Sequence, residues 1–168
     1  YVFFFLSIQI RLFACEGILM PVLAPAEFEK TTKLAQEGDT HAMAYFGFLY
    51  VKGLLKGTEA EKVALNYAHQ SAKSGDSQGQ YILGTIYAKQ NNHKAAFDTF
   101  KQSVENGCGA GKLDVGIYLI KNMDERIEHN TLSGKALIRE AADEGYPLAQ
   151  LWLGIAIGTG DGFEKNEK

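Results

Sequence analysis

Several things are scarce or missing in this chain of 168 residues. No uncharged apolar run reaches the roughly 18 residues that a membrane-spanning helix needs, so no ordinary transmembrane helix is expected. A basic stripe is also lacking. Lysine and arginine number 17 against 20 aspartates and glutamates, and the formal net charge is −3. A surface that tracks phosphates needs clustered cations, so nucleic acid is not an expected partner. Cysteine occurs twice, as Cys15 and Cys108. A Cys15–Cys108 bridge is open to the chain but has no support from spacing, and Cys108 reads as an ordinary small residue.

Catalytic and metal motifs are missing too. The four histidines, His41, His69, His93 and His129, have no partner at metal-ligand spacing on an obvious shared face. No His-Glu-x-x-His or Gly-x-Ser-x-Gly occurs. Gly158-Thr159-Gly160-Asp161-Gly162 looks superficially like a phosphate loop. It follows a helical stretch rather than a strand and lacks the lysine such a loop needs. Asp124-Glu125-Arg126-Ile127-Glu128 lacks the glycine and final glutamate of a calcium loop. No catalytic, cofactor-binding or metal-binding residue is assigned.

What the chain does have is a period. Gly38, Gly75, Gly107 and Gly145 recur at intervals of 37, 32 and 38 residues. Four places after each stands a small residue: Ala42, Gly79, Gly111 and Ala149. Eight places after stand Phe46, Leu83, Val115 and Leu153. The ninth place is glycine every time: Gly47, Gly84, Gly116 and Gly154. Tyr50, Tyr87, Leu119 and Ile157 hold the twelfth. Offsets of four, eight and twelve fall on one stripe of a helix, with the ninth beside it. A mid-helix glycine costs about 0.5–1 kcal/mol relative to alanine, so four at one offset argue for close helix contact.

The anchoring glycines have another role. Each ends an apolar helical stretch, where a left-handed C-terminal cap suits glycine. Asp39 and Asp76 can cap the helix that follows, and Pro147 stands where a first-turn proline belongs. Each unit therefore reads as a first helix, a loop and a second helix. In the first unit the loop is Val51 to Gly57 and the second helix Glu59 to Ser74, opened by a capping box at Thr58-Glu59-Ala60-Glu61. The later loops are Lys89 to His93 and Lys121 to His129. The second-helix stripes are Val63, Ala64, Tyr67, Ala68 and Ala72; then Ala95, Ala96, Phe100 and Val104; then Ala136, Leu137, Ile138, Ala141 and Ala142. Arrays at such a period bury their faces only against neighbours.

The pattern resembles the Sel-one-like repeat (SLR) family, a relative of tetratricopeptide arrays. Ala42, Phe46-Gly47, Tyr50, Gly53, Gly57, Ala64, Tyr67, Ala68, Ser71-Ala72 and Gly75 carry the resemblance in the first unit. Gly79, Leu83-Gly84 and Tyr87 carry it in the second, and Ala149, Leu153-Gly154, Gly158 and Gly160 in the fourth. The third departs most, with no glycine in its loop. The resemblance covers about residues 27–168, an array of about four repeats with the last one truncated. It implies an all-α, right-handed α-solenoid of helix-turn-helix repeats, an α/α superhelix. It implies a non-enzymatic scaffold or adaptor that holds a protein or peptide on the concave face lined by first helices. Tyr45, Ile82, Asp114 and Trp152, all at the seventh place, are then candidate partner-binding residues, with His41 in the first turn. The alternative implied by secreted relatives is β-lactamase-like or penicillin-binding activity. Those relatives carry a disulfide inside each repeat, and no repeat here holds two cysteines.

Residues 1–26 lie outside the repeat. Ala24-Pro25-Ala26 has the small residues of a signal-peptidase site, and Leu12-Phe13-Ala14-Cys15 looks like a lipobox that would place a lipid anchor at Cys15. Each predicts export to the periplasm or beyond. The alternative is a cytoplasmic protein whose upstream helix packs on the first repeat. The chain begins at Tyr1 and stops within a fourth-repeat loop, so it is expected to be a fragment. Leu151, Leu153 and Ile157 are then expected to be partly uncovered.

Overall fold

A computed structural model describes residue 15 and residues 23–159 of the chain. Among these residues the secondary structure is helical, with no strand. Helix α1 spans Pro25–Gln36 and is followed by α2 (Thr40–Val51) and α3 (Thr58–Lys73). Next come α4 (Ser77–Lys89) and α5 (His93–Glu105). After these stand α6 (Gly111–Lys121), α7 (Thr131–Asp143) and α8 (Pro147–Thr159). The pairs α2–α3, α4–α5 and α6–α7 are hairpins, and each hairpin packs on the next. This is the solenoid that the period predicts. Most of the expected export signal, and the glycine-rich stretch from Gly160, lie outside the described residues.

The glycine caps form as expected. Gly38, Gly75, Gly107 and Gly145 have φ of 98°, 85°, 95° and 92°. In that left-handed region a β-carbon is strained, and glycine is not. At Gly107 the turn closes as a Schellman motif. Its N–H donates to the Val104 carbonyl at 3.0 Å, and the Cys108 N–H to the Ser103 carbonyl at 2.8 Å. Asp39 caps α2, accepting from the Ala42 N–H at 2.8 Å. Asp76 caps α4, accepting from Gln78 and Gly79.

The loops differ from one another, and one expectation is corrected. The α3 N-cap is Gly57, at φ 100°, with no side-chain cap, so the expected capping box does not form. The helix instead begins at Thr58, straight after a residue whose conformation only glycine takes easily. The third loop does without glycine by placing Asn122 in the left-handed region, at φ 44°. Within it the Arg126 guanidinium donates to Asp124 at 2.8 and 2.6 Å, holding that carboxyl below the usual carboxylate range. This pair folds the loop so that Ile127 joins the core, 3% exposed, beside Phe97 and Val115. Two stripe residues, Val63 and Ala136, are exposed, because each sits at the edge of its helix's contact face.

The small places do the expected packing. A β-carbon added at Gly79 would meet the Ser71 side chain of α3, and one at Gly111 would meet Ser103 of α5. The fourth place therefore faces backwards, onto the preceding second helix. The ninth faces forwards, onto the second helix of its own hairpin. At Gly84 an added β-carbon would lie 2.8 Å from the Phe100 ring of α5. Helix α1 stands before α2 as a second helix stands before each later first helix. It buries Thr31 and Ala35, and Phe28 meets Phe46 with ring centroids 5.6 Å apart.

Candidate functional site

First helices α2, α4, α6 and α8 follow one another along the array and present their seventh-place residues in sequence. Tyr45 and Ile82 are 5% and 3% exposed. Both belong to one apolar cluster with Phe48, Leu49, Ala68 and Ile86. As freely offered partner contacts, Tyr45 and Ile82 are therefore corrected: they are packed between successive hairpins. A helical wheel shows which residues share a face but not whether the next helix covers it.

Tyr45 nonetheless makes an instructive contact. Its hydroxyl accepts from the Leu23 N–H at 3.2 Å, and the Leu23 side chain packs on the same cluster. Burial pushes the Tyr45 phenol up from its ordinary pKa. Residue 23 is not helical. A piece of irregular chain thus lies on α2 through one main-chain hydrogen bond and one leucine.

Asp114 is held differently. The Tyr81 hydroxyl of α4 donates to its carboxylate, and burial pushes the Asp114 carboxyl up to about 7. Tyr118 lies close enough to feel its charge, and the Tyr118 hydroxyl meets His93 Nδ1 at 3.2 Å. His41, half-buried, places Nδ1 3.2 Å from Asp76 Oδ2, which also accepts from the Thr40 hydroxyl at 2.9 Å. Asp76 thus caps α4 with one oxygen and ties it to α2 with the other. Trp152 is half-buried against Ile138 and Ala156. The five candidates therefore line up along successive first helices but do not converge on one pocket.

Sequence reasoning left one covalent feature open. Cys15 and Cys108 form a disulfide with Cα atoms 4.6 Å apart, across a sequence separation of 93. The Cys15 carbonyl accepts from the Ala110 N–H at 3.4 Å, and its sulfur lies 3.8 Å from the Ser77 hydroxyl. The two ends of the segment 15–23 therefore rest on different repeats, one at the α5–α6 turn and one on α2. A sulfur bonded to Cys108 has no valence left for a thioether, so the lipid anchor expected at Cys15 is at odds with this structure. Only the even cysteine count hinted at the bridge. Among the described residues no three His, Cys, Asp or Glu side chains are grouped to hold a metal ion, and no helix is long and apolar enough to cross a membrane.

A solved structure shares this architecture. The crystal structure of c5321, a protective antigen of uropathogenic Escherichia coli strains displaying an SLR fold, superposes on 85% of this chain with a TM-score of 0.66 and 26% identity. The chain has an SLR fold, a helical solenoid. This SLR array spans 31% of the c5321 chain. It is also 31% identical over 76 residues to the ERAD-associated E3 ubiquitin-protein ligase component HRD3B of Arabidopsis thaliana. That match covers 45% of the array's chain and 12% of the plant protein. No family model matches.

Proposed function

We propose that this SLR array is a protein-interaction scaffold that holds an irregular segment of a partner on the concave face of its first helices. The observation carrying this reading is the seat of Leu23 on α2. There the Tyr45 hydroxyl takes a main-chain N–H, and an apolar cluster takes the leucine. That is a sequence-tolerant way to bind polypeptide, because every residue but proline offers the same N–H. A stiff array presents its successive first helices to a partner at little ordering cost. The plant relative's name, a component of a ligase, suits a role within an assembly.

Export is part of the same proposal. A disulfide joining Cys15 and Cys108 suits an oxidising compartment such as the periplasm or the extracellular space.

Site-specific photo-crosslinking tests the reading. Crosslinkers at His41 and Trp152, on first helices, are expected to trap a partner. Crosslinkers at the exposed Lys62 and Lys101, on second helices, are not. Equal capture at all four would remove the concave face from the account. Nitrocefin hydrolysis by the purified chain would replace the scaffold reading with the β-lactamase-like one.

A further inference from the structure

At the seventh place the first helices carry Tyr45, Ile82, Asp114 and Trp152, so one acid stands among apolar and aromatic residues. Tyr45 shows that this register takes polypeptide, since its hydroxyl accepts the main-chain N–H of the non-helical Leu23. Asp114 holds the same place on α6, an interior helix of the row. Helix α4 precedes it, and its Leu113 and Ile117 share an apolar cluster with Trp152 of α8. The acid is half-buried, and the exposure it keeps does not come from an end of the array.

The groups facing this acid are donors without charge. The Tyr81 hydroxyl of α4 and the acid's own main-chain N–H donate to the carboxylate. Tyr118, on the same helix, lies near enough to feel the charge, and its hydroxyl meets His93 Nδ1 of α5 at 3.2 Å. Lys112 of α6 is committed to Glu140 and Glu144, and Arg126 of the following loop to Asp124. No residue of α8, Pro147–Thr159, is charged. Among the described residues no lysine, arginine or histidine forms an ion pair with Asp114.

A carboxylate drawn out of water keeps its charge when a cation meets it, and otherwise goes over to its neutral form. For the fold alone an asparagine would serve, accepting from Tyr81 with no charge to desolvate. The carboxyl is the part that packing does not explain, and acids held in this way concentrate at functional sites. Resting on the scaffold reading, we infer that Asp114 receives a lysine or arginine side chain of the partner segment, with Tyr81 holding the carboxylate in place. The pair is a charge-assisted hydrogen bond, stronger than a neutral one. Burial leaves the unoccupied carboxyl at about 7, whereas a bound cation favours the ionised form. The partner is therefore held more tightly as pH rises through that value.

The test uses the full 168-residue chain, immobilised, and a pool of capped hexapeptides. One position is lysine, arginine, glutamine or glutamate, and the others vary over uncharged residues. Retained peptides are read by mass spectrometry at pH 5 and pH 8, at one ionic strength. Lysine and arginine peptides are expected to be enriched over glutamine ones about fivefold or more at pH 8, the upper range of an exposed ion pair, and less at pH 5. Asp114→Asn keeps an acceptor for Tyr81, and should lose the enrichment while still retaining uncharged peptides. Glu105→Gln, which removes an exposed acid of α5, should keep the enrichment. Equal retention of lysine and glutamine peptides by the wild type, or enrichment that survives Asp114→Asn, would overturn the proposal and leave the scaffold reading standing. So would wild-type enrichment equal at the two pH values, a comparison that does not depend on the variant's folding. Retention of no peptide at all by the wild type would overturn both.

Discussion

Tyr81 on α4 donates its hydroxyl to Asp114 on α6, so one repeat's first helix is hydrogen-bonded to the next by a half-buried acid. Burial dominates the acid's behaviour, raising its carboxyl from 3.8 to about 7. In the unfolded chain that carboxyl ionises near its ordinary value. Between roughly pH 4 and 7 the folded state therefore holds a proton that the unfolded state has lost. Stability falls as pH rises through that window.

The first prediction follows from that sign. Asp114→Asn keeps an acceptor for Tyr81 and removes the ionisation. Its melting temperature should gain on the wild type as pH is raised from 5 to 8. Calorimetry at several pH values checks this, and parallel curves for the two proteins would show that the acid does not titrate in the window.

The second prediction concerns the close contact at Gly84. The Phe100 ring occupies the space a side chain would need. Gly84→Leu should destabilise by about 1–3 kcal/mol despite leucine's better helix propensity, because overpacking outweighs propensity. Denaturant titration measures it. Unchanged stability would mean that α4 and α5 have room to separate.

A third prediction concerns the disulfide. Closing a loop as long as residues 15–108 restricts the unfolded chain, and such bridges typically contribute about 2–4 kcal/mol. Reductant should lower the melting temperature of the wild type and leave that of Cys15→Ser unmoved. Equal sensitivity in both would assign the effect to something other than the bridge.

The fourth is a prediction of a small effect. Lys112 reaches Glu140 of α7 and Glu144, the residue that follows that helix, each at 2.6 Å. Both carboxylates are 42% or more exposed, so water competes for the pair. Lys112→Met should cost less than about 1 kcal/mol. A larger loss in a thermal melt would show that the pair is coupled to the α6–α7 packing.

How much of this was legible beforehand depends on the range of each cause. Gly38, Gly75, Gly107 and Gly145 announce their caps because the left-handed turn is a property of one residue and its neighbours. Gly47 and Gly84 announce close packing because repetition at one offset filters out chance. Nothing local could show that Leu23 lies over Tyr45, or that Ile82 is covered by the preceding hairpin. The same holds for Cys15 and Cys108, which are brought together only once two hairpins have stacked. Ile127 was hidden inside a charged loop, where the pairing of Asp124 with Arg126 turns it inward.

The Cys15–Cys108 bond also changes how the row of hairpins comes apart. An unbraced solenoid frays from either end, one unit at a time. Here everything from the first hairpin to the turn before α6 is held within a covalent hoop. Among the described helices only α6, α7 and α8 hang free of it, so their melting is biased to start at that tail and to stop where the hoop begins.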